Sequence, residues 1–377
     1  MKVNLYLTIL CMFLIQSFDS QESSSMKMRI RGQKIGSKEK ESNFAKLNFF
    51  PKREIKILRE KLELKREVRN NYNINKERNY FPKKRKCERM CEKYGKMSRD
   101  AIWVQYPTNF DPIPITLLNC DRNWNKFINP LIGGGVGALF GEFPHMAILA
   151  HRQLNSKLQF ACVGSLISEK WILTAAHCSY KIFIKTAVVY LGSNRLMDTN
   201  GGQVFFAKQL IIHPAYQPRL SYADIALVEL DRTVQFGLNL KPACLQFDKE
   251  NEAKLMATGW GTSQYGGELS VNLLKAQLDV IDNVNCSTMY KNSINLPWGI
   301  VDSLLCAGDP TGNWEKDTCS GDSGSPLQIR NIDNCLFKII GITSTGKFCG
   351  VDAIPGIYTR VAAYVNWIEE IVWPHFF

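Results

Sequence analysis

Residues 171–178 read Trp171-Ile172-Leu173-Thr174-Ala175-Ala176-His177-Cys178, an apolar run that ends in a histidine set directly before a cysteine. Similar short apolar runs, punctuated by Gly, Pro and Asn, recur at 186–191, 203–212, 225–230, 278–281 and 336–342. Runs of this length between turn formers read as strands, and their number argues for an all-β sandwich or barrel. At the C-terminus the period changes: Val361, Val365, Ile368 and Val372 recur at i, i+4, i+7 and i+11, as on one face of a helix. The expected unit is a β-domain closed by a terminal helix, beginning at Ile132.

Upstream of 132 the texture differs. The whole chain, 377 residues, is longer than one usual domain, which calls for a large domain plus an appendage. Residues 1–20 place Lys2 before an apolar run from Val3 to Ile15 and a polar flank, the layout of a secretory signal peptide. That run is short for a membrane span, so the mature protein is expected to be secreted and extracellular, without a membrane anchor. Residues 27–99 carry 25 Lys+Arg against 9 Asp+Glu, a net of +16 that exceeds the whole chain's +12, so the remainder is slightly acidic. Such a segment has little apolar surface to bury; 21–131 reads as a basic, largely disordered prosegment and connector. A short helix near Ile55, Leu58, Leu62 and Val68 fits the spacing. A charge run of this kind is expected to be a solvated, processed tail; an anionic surface polysaccharide or acidic partner is the alternative, and nucleic acid is not expected outside the cell.

Cysteine usage agrees with secretion. Eleven cysteines remain beyond Cys11, an odd number, and an oxidising compartment makes disulfides the default for them. No C-x-x-C pair or His/Cys cluster suggests a metal site.

Three segments supply the parts of one chemistry. Hydrolysis by a hydroxyl needs a base, a carboxylate to orient it and donors for the developing oxyanion. The run 173–178 offers His177, Asp224-Ile225-Ala226-Leu227 offers an acid at the mouth of a strand, and Gly321-Asp322-Ser323-Gly324-Ser325-Pro326 offers a serine between glycines. With Thr258-Gly259-Trp260-Gly261 and Pro355-Gly356-Ile357-Tyr358-Thr359-Arg360, in the order His, Asp, Ser, these segments resemble the chymotrypsin-fold serine proteases over nearly all of 132–377. The resemblance implies two six-stranded antiparallel β-barrels with a C-terminal α-helix, and no metal or organic cofactor. It makes Ser323 the nucleophile, His177 the general base and Asp224 the group that orients the imidazole. Backbone N–H groups of Gly321 and Ser323 would form the oxyanion hole. Asp317, six residues before Ser323, would sit at the base of a pocket walled by Ser344, Gly346 and Gly356, and so select Arg or Lys.

The same resemblance implies a zymogen. Cleavage between Leu131 and Ile132 would free an ammonium to pair with Asp322, a pairing that is favourable only because both charges are desolvated together. Leucine before the cut implies an upstream activating protease with an apolar preference. The implied disulfides are Cys162–Cys178, Cys286–Cys306, Cys319–Cys349 and Cys120–Cys244, with Cys335 bonded to Cys87 or Cys91. Asn285-Cys286-Ser287 is formally a glycosylation sequon.

Leu131, Phe143-Pro144-His145-Met146-Ala147 and Gly341-Ile342-Thr343-Ser344 followed by Gly346-Lys347-Phe348-Cys349 are most similar to the insect clip-domain proteases. That branch implies an extracellular cascade of innate immunity or development, another protease zymogen as protein substrate, and a serpin-type inhibitor. The clip domain itself looks missing or degenerate, since residues 21–119 hold only two cysteines where six are needed. A digestive or venom trypsin, or a catalytically silent homologue acting as a binding partner, are the competing readings. Ser325 and Val163 stand where that family carries glycine, Gly133 replaces a valine, and Thr345 occupies a position normally aromatic.

Overall fold

A computed structural model describes residues 84–97, 102–104, 113–115, 136–153, 156–198, 202–249, 254–262, 266–309, 318–331, 334–346 and 354–375. The signal peptide, the helix near Ile55, the Leu131–Ile132 bond, Asp317, Cys120 and Cys349 lie outside the described residues. The chain divides into two units, Met1–Pro82 and Lys83–Phe377, and only the second is described.

Six strands form a first closed barrel in the order β4 (Met146–Arg152), β5 (Leu158–Leu166), β6 (Trp171–Thr174), β9 (Ala226–Leu230), β8 (Gln203–Ile212) and β7 (Ala187–Leu191). Every residue of β7 and β9 is buried, as expected of runs without polar alternation. The second barrel runs β11 (Lys254–Gly259), β12 (Leu274–Ile281), β13 (Leu304–Gly308), β16 (Gly356–Arg360), β15 (Phe337–Thr345) and β14 (Pro326–Arg330). It closes because β15 pairs antiparallel with both β14 and β16. Two short strands extend it, β3 (Val136–Gly137) on β12 and β10 (Cys244–Leu245) parallel to β15. Upstream, β1 (Ile102–Val104) and β2 (Ile113–Ile115) make an antiparallel pair inside the expected connector. This is the chymotrypsin-like architecture that the motifs imply.

Helix α2 (Asn283–Met289) starts on Asp282, whose carboxylate accepts the backbone N–H groups of Val284 and Asn285. The C-terminal helix α3 (Val365–Val372) buries Val365, Ile368 and Val372, three of the four residues read as its apolar face, and Val361 is buried in the turn before it. No helix among the described residues is long and apolar enough to cross a membrane.

The compact unit begins well before Ile132. Helix α1 (Lys86–Met97) buries Cys87, Met90 and Tyr94 on the β-domain, and Glu88 reaches back to the Arg85 N–H at 2.8 Å as an N-terminal cap. The Tyr94 hydroxyl donates to Glu169 at 2.7 Å, its ring meets Phe236 edge-on, and the Cys87 N–H donates to Glu369 on α3 at 2.9 Å. Docking this helix beside β10 leaves Cys91 and Cys244 with Cα atoms 5.2 Å apart and joined by a disulfide. That corrects two expectations. Cys244 is not bonded to Cys120, and Cys335 is bonded to neither Cys87 nor Cys91, because Cys91 is taken and Cys87 is a buried free thiol. The physical reason is the helix itself: its apolar face brings Cys91 to the sheet edge, which spacing along the chain did not reveal. The bridges Cys162–Cys178 and Cys286–Cys306 are present, and Cys319 and Cys335 are also disulfide-bonded.

Candidate active site

His177 stands on a short 3-10 turn, Ala176–Tyr180, directly after β6, and Cys178 bonds that turn to β5. Asp224 precedes β9, the partner of β6, so the register Thr174↔Ala226 brings acid and histidine together. Asp224 is 2 % exposed and receives three donors: the His177 backbone N–H at 2.8 Å, His177 Nδ1 at 2.7 Å and the Ser344 hydroxyl. Its backbone carbonyl also accepts the Thr359 hydroxyl at 2.9 Å, which ties this barrel's acid to β16 of the other. Burial alone would raise the Asp224 pKa, but the hydrogen bond and charge of His177, the Ser344 hydroxyl and the His177 N–H outweigh it and hold the carboxyl below its ordinary value. A carboxylate held ionised at Nδ1 fixes the imidazole with Nε2 facing outward, the tautomer a base needs.

Ser323 lies between the barrels. The Val163 N–H on β5 donates to its carbonyl at 2.9 Å, and the Gly324 N–H donates to Thr343 on β15 at 3.0 Å. Gly324 has φ +82°, and a Cβ there would fall 2.3 Å from both Thr174 Oγ1 and the Val163 carbonyl. Only glycine lets the turn press this closely against the segment leading into His177. Gly321, with φ +102°, is packed as tightly against Leu269 and Gly261.

Between them Asp322 points inward. It is 8 % exposed, Oδ1 accepts the Gly261 N–H at 2.8 Å and Oδ2 accepts the Cys319 N–H at 3.0 Å. Burial pushes its carboxyl up to about 6, against the pull of the Cys319 and Gly261 N–H groups. Of the expected pocket walls, a Cβ on Gly346 would lie 4.0 Å from Gly356 Cα, so the two glycines face each other. Thr318, the neighbour of Asp317, shares a 3.0 Å hydrogen bond with the Tyr358 hydroxyl on β16. Ser344 was expected as a pocket wall; its hydrogen bond to Asp224 is a contact that sequence reasoning missed, and no local signal marks it. Cys162, His177 and Cys178 form the cluster of metal-ligand types among the described residues, but both sulfurs are spent in one disulfide.

Comparisons with known proteins agree with this geometry. The trypsin family profile matches residues 132–368. This chain belongs to the trypsin family. It is similar to Serine protease snk of Drosophila melanogaster, 39 % identical over 249 residues that cover 64 % of this chain and 57 % of that protein. It also resembles the Clotting factor G beta subunit of Tachypleus tridentatus, 33 % identical over 65 % of this chain and 80 % of its own length. CLIP domain-containing serine protease B4 of Anopheles gambiae is 34 % identical over 64 % of this chain and 70 % of its own. These relatives place the chain with serine proteases of the clip-domain type.

Proposed function

We propose that the chain is the secreted zymogen of a serine endopeptidase that cleaves after Arg or Lys and activates a further protease zymogen in an extracellular cascade. The observation that carries this reading is the fully bonded Asp224–His177 pair, with the Ser323 turn packed on the strand that leads to it. His177 Nε2 would take the Ser323 proton as the hydroxyl attacks the scissile carbonyl, then return it to the leaving amine. Backbone N–H groups of Gly321 and Ser323 would hold the oxyanion; one such donor lowers the barrier by about 3 kcal/mol. Asp317 would pair with the basic side chain of the substrate, in a pocket that Ser344, Gly346 and Gly356 would wall.

Activation follows from Asp322. An enclosed carboxyl pushed up to about 6 is costly to ionise unless a cation arrives. The ammonium freed by a cut between Leu131 and Ile132 is that cation, and an upstream protease with an apolar preference would make the cut. Residues 1–20 would already have been removed as a signal peptide. The remaining prosegment would stay attached through Cys91–Cys244, with α1 as part of the mature enzyme. A serpin-type inhibitor suits such a regulatory enzyme.

The test is to replace Leu131 by Arg, process the protein with trypsin, label it with a serine-directed phosphonate and profile a peptide library. Labelling at Ser323 with cleavage after Arg and Lys supports the reading. Processed protein that takes no label would instead be a silent homologue acting as a binding partner.

A further inference from the structure

Ser325 follows the catalytic turn at a position where the family carries glycine, and its side chain has no role in the mechanism above. The residue is 0 % exposed, and its Oγ has no hydrogen-bond partner among the described residues. An enclosed hydroxyl left without a partner is costly to bury. Nothing about packing requires that cost, since glycine or alanine would carry no orphan donor.

The location of this hydroxyl gives it a use. A Cβ placed on Gly259, the last residue of β11, would lie 1.8 Å from Asp322 Oδ1 and 3.0 Å from Ser325 Oγ. The two oxygens are therefore at most 4.8 Å apart, the sum of those two distances, on the same side of Gly259. The turn holds them in register: the Ser325 N–H donates to the Asp322 carbonyl and the Thr343 N–H to the Ser325 carbonyl, both at 2.9 Å. Asp322 has room for another donor. Each of its oxygens accepts one backbone N–H, whereas an ionised carboxylate offers about four acceptor positions.

We propose that Ser325 is a positioning residue for the catalytic turn: its hydroxyl donates to the Asp322 carboxylate, directly after a side-chain rotation or through one enclosed water. It thereby holds the backbone of Gly321 and Ser323 on either side in the oxyanion-binding arrangement. This rests on the reading of Asp322 as acceptor of the Ile132 ammonium. A hydroxyl donor favours the charged form of a carboxyl, so it opposes the burial that pushes Asp322 up to about 6. The groups packed on the carboxylate among the described residues are Gly259, Gly261, Cys319 and Ser325, none of them charged.

The test uses processed wild type, Ser325→Ala and Ser325→Gly, with p-aminobenzamidine fluorescence as a titration of the formed pocket between pH 5 and 10. That probe reads pocket order rather than turnover, and the substitutions leave His177 and Asp317 in place. Losing the hydroxyl should raise the acid-side midpoint by about half to one pH unit in both variants, a three- to tenfold weaker affinity on that limb. Superimposable profiles, or an equal loss at every pH with a lowered melting temperature, would overturn the proposal; the second result would mean packing alone. The glycine variant carries the test if the alanine variant does not fold. Wild-type processed protein that neither binds the probe nor cleaves arginyl esters would sink the Asp322–Ile132 reading instead.

Discussion

Two buried aspartates of this molecule sit in similar enclosure and titrate in opposite directions. Asp224 is 2 % exposed and Asp322 8 %, yet the first is held below its ordinary pKa and the second is pushed up to about 6. The difference lies in the donors. Asp224 has two hydrogen bonds from His177, a residue able to carry the compensating charge, and one from a hydroxyl. Asp322 has two neutral backbone N–H groups. Burial therefore wins at Asp322 and loses at Asp224: the proposed acid–base pair already has its charge partner, whereas the carboxyl beside the proposed oxyanion site does not.

The contrast can be broken most severely at Asp224. Asp224→Asn should lower kcat by about 10⁴-fold in processed protein, measured on an arginyl peptide, because the imidazole loses its orienting acceptor. Its stability effect has a defined window: a carboxyl with a depressed folded pKa contributes fully above the unfolded value near 4 and loses that contribution as pH falls through the folded value. Urea melts of this variant should consequently lack part of the wild type's acid sensitivity.

Asp322→Asn should be weaker in rate and opposite in stability. In processed protein kcat/KM should fall by about 10²–10³-fold, the scale of a lost oxyanion donor. In the uncut protein the folded pKa lies above the unfolded one, so the ionised carboxylate destabilises the fold above about pH 6 and ceases to do so as pH falls toward 4. Urea melts should find the asparagine variant up to about 3 kcal/mol more stable at pH 7.5 and no different at pH 4. A variant equally destabilised at both values would show that Asp322 is already paired in the uncut chain.

Gly259→Ala sharpens the comparison from the packing side. Its Cβ would fall 1.8 Å from Asp322 Oδ1, so the carboxylate must move, at about 1–3 kcal/mol of stability with loss of probe binding. Gly237→Ala, where a Cβ meets nothing within 4 Å, is the control and should be neutral in thermal melts. The smallest effect belongs to Ser344→Ala. Removing one of three donors to Asp224 should cost about 0.5–1.5 kcal/mol, a two- to tenfold drop in kcat/KM. The acid-unfolding midpoint should move up with it, since the Asp224 carboxyl loses a donor to its charged form.

Much of the architecture was legible because its signals are local. The strands read from 203–212 and 225–230 appear as β8 and β9, and Val365, Ile368 and Val372 line the buried face of α3. His177 and Asp224 could be named from their flanking runs, since each sits at the end of a strand whose pattern is its own. Helix α1 could not be read this way. Its apolar residues Cys87, Met90 and Tyr94 are few and lie among charges, so their spacing means a buried face only when Glu169, Phe236 and Glu369 are there to receive it. The same gap misassigned Cys244, and it hid the hydrogen bond that Ser344 donates to Asp224.

The order of residues along this chain determined a β-rich unit and its closing helix, because strand period and turn chemistry act over a few neighbours, while the motifs it carries marked the two barrels and the residues at their seam through their resemblance to a family. Only the folded molecule decided which cysteine holds α1 to β10, and which buried aspartate is charged by its partners and which is left wanting one. Those outcomes depend on groups far apart in sequence and on how much water and how many donors each carboxylate keeps, quantities that exist only once the barrels have closed.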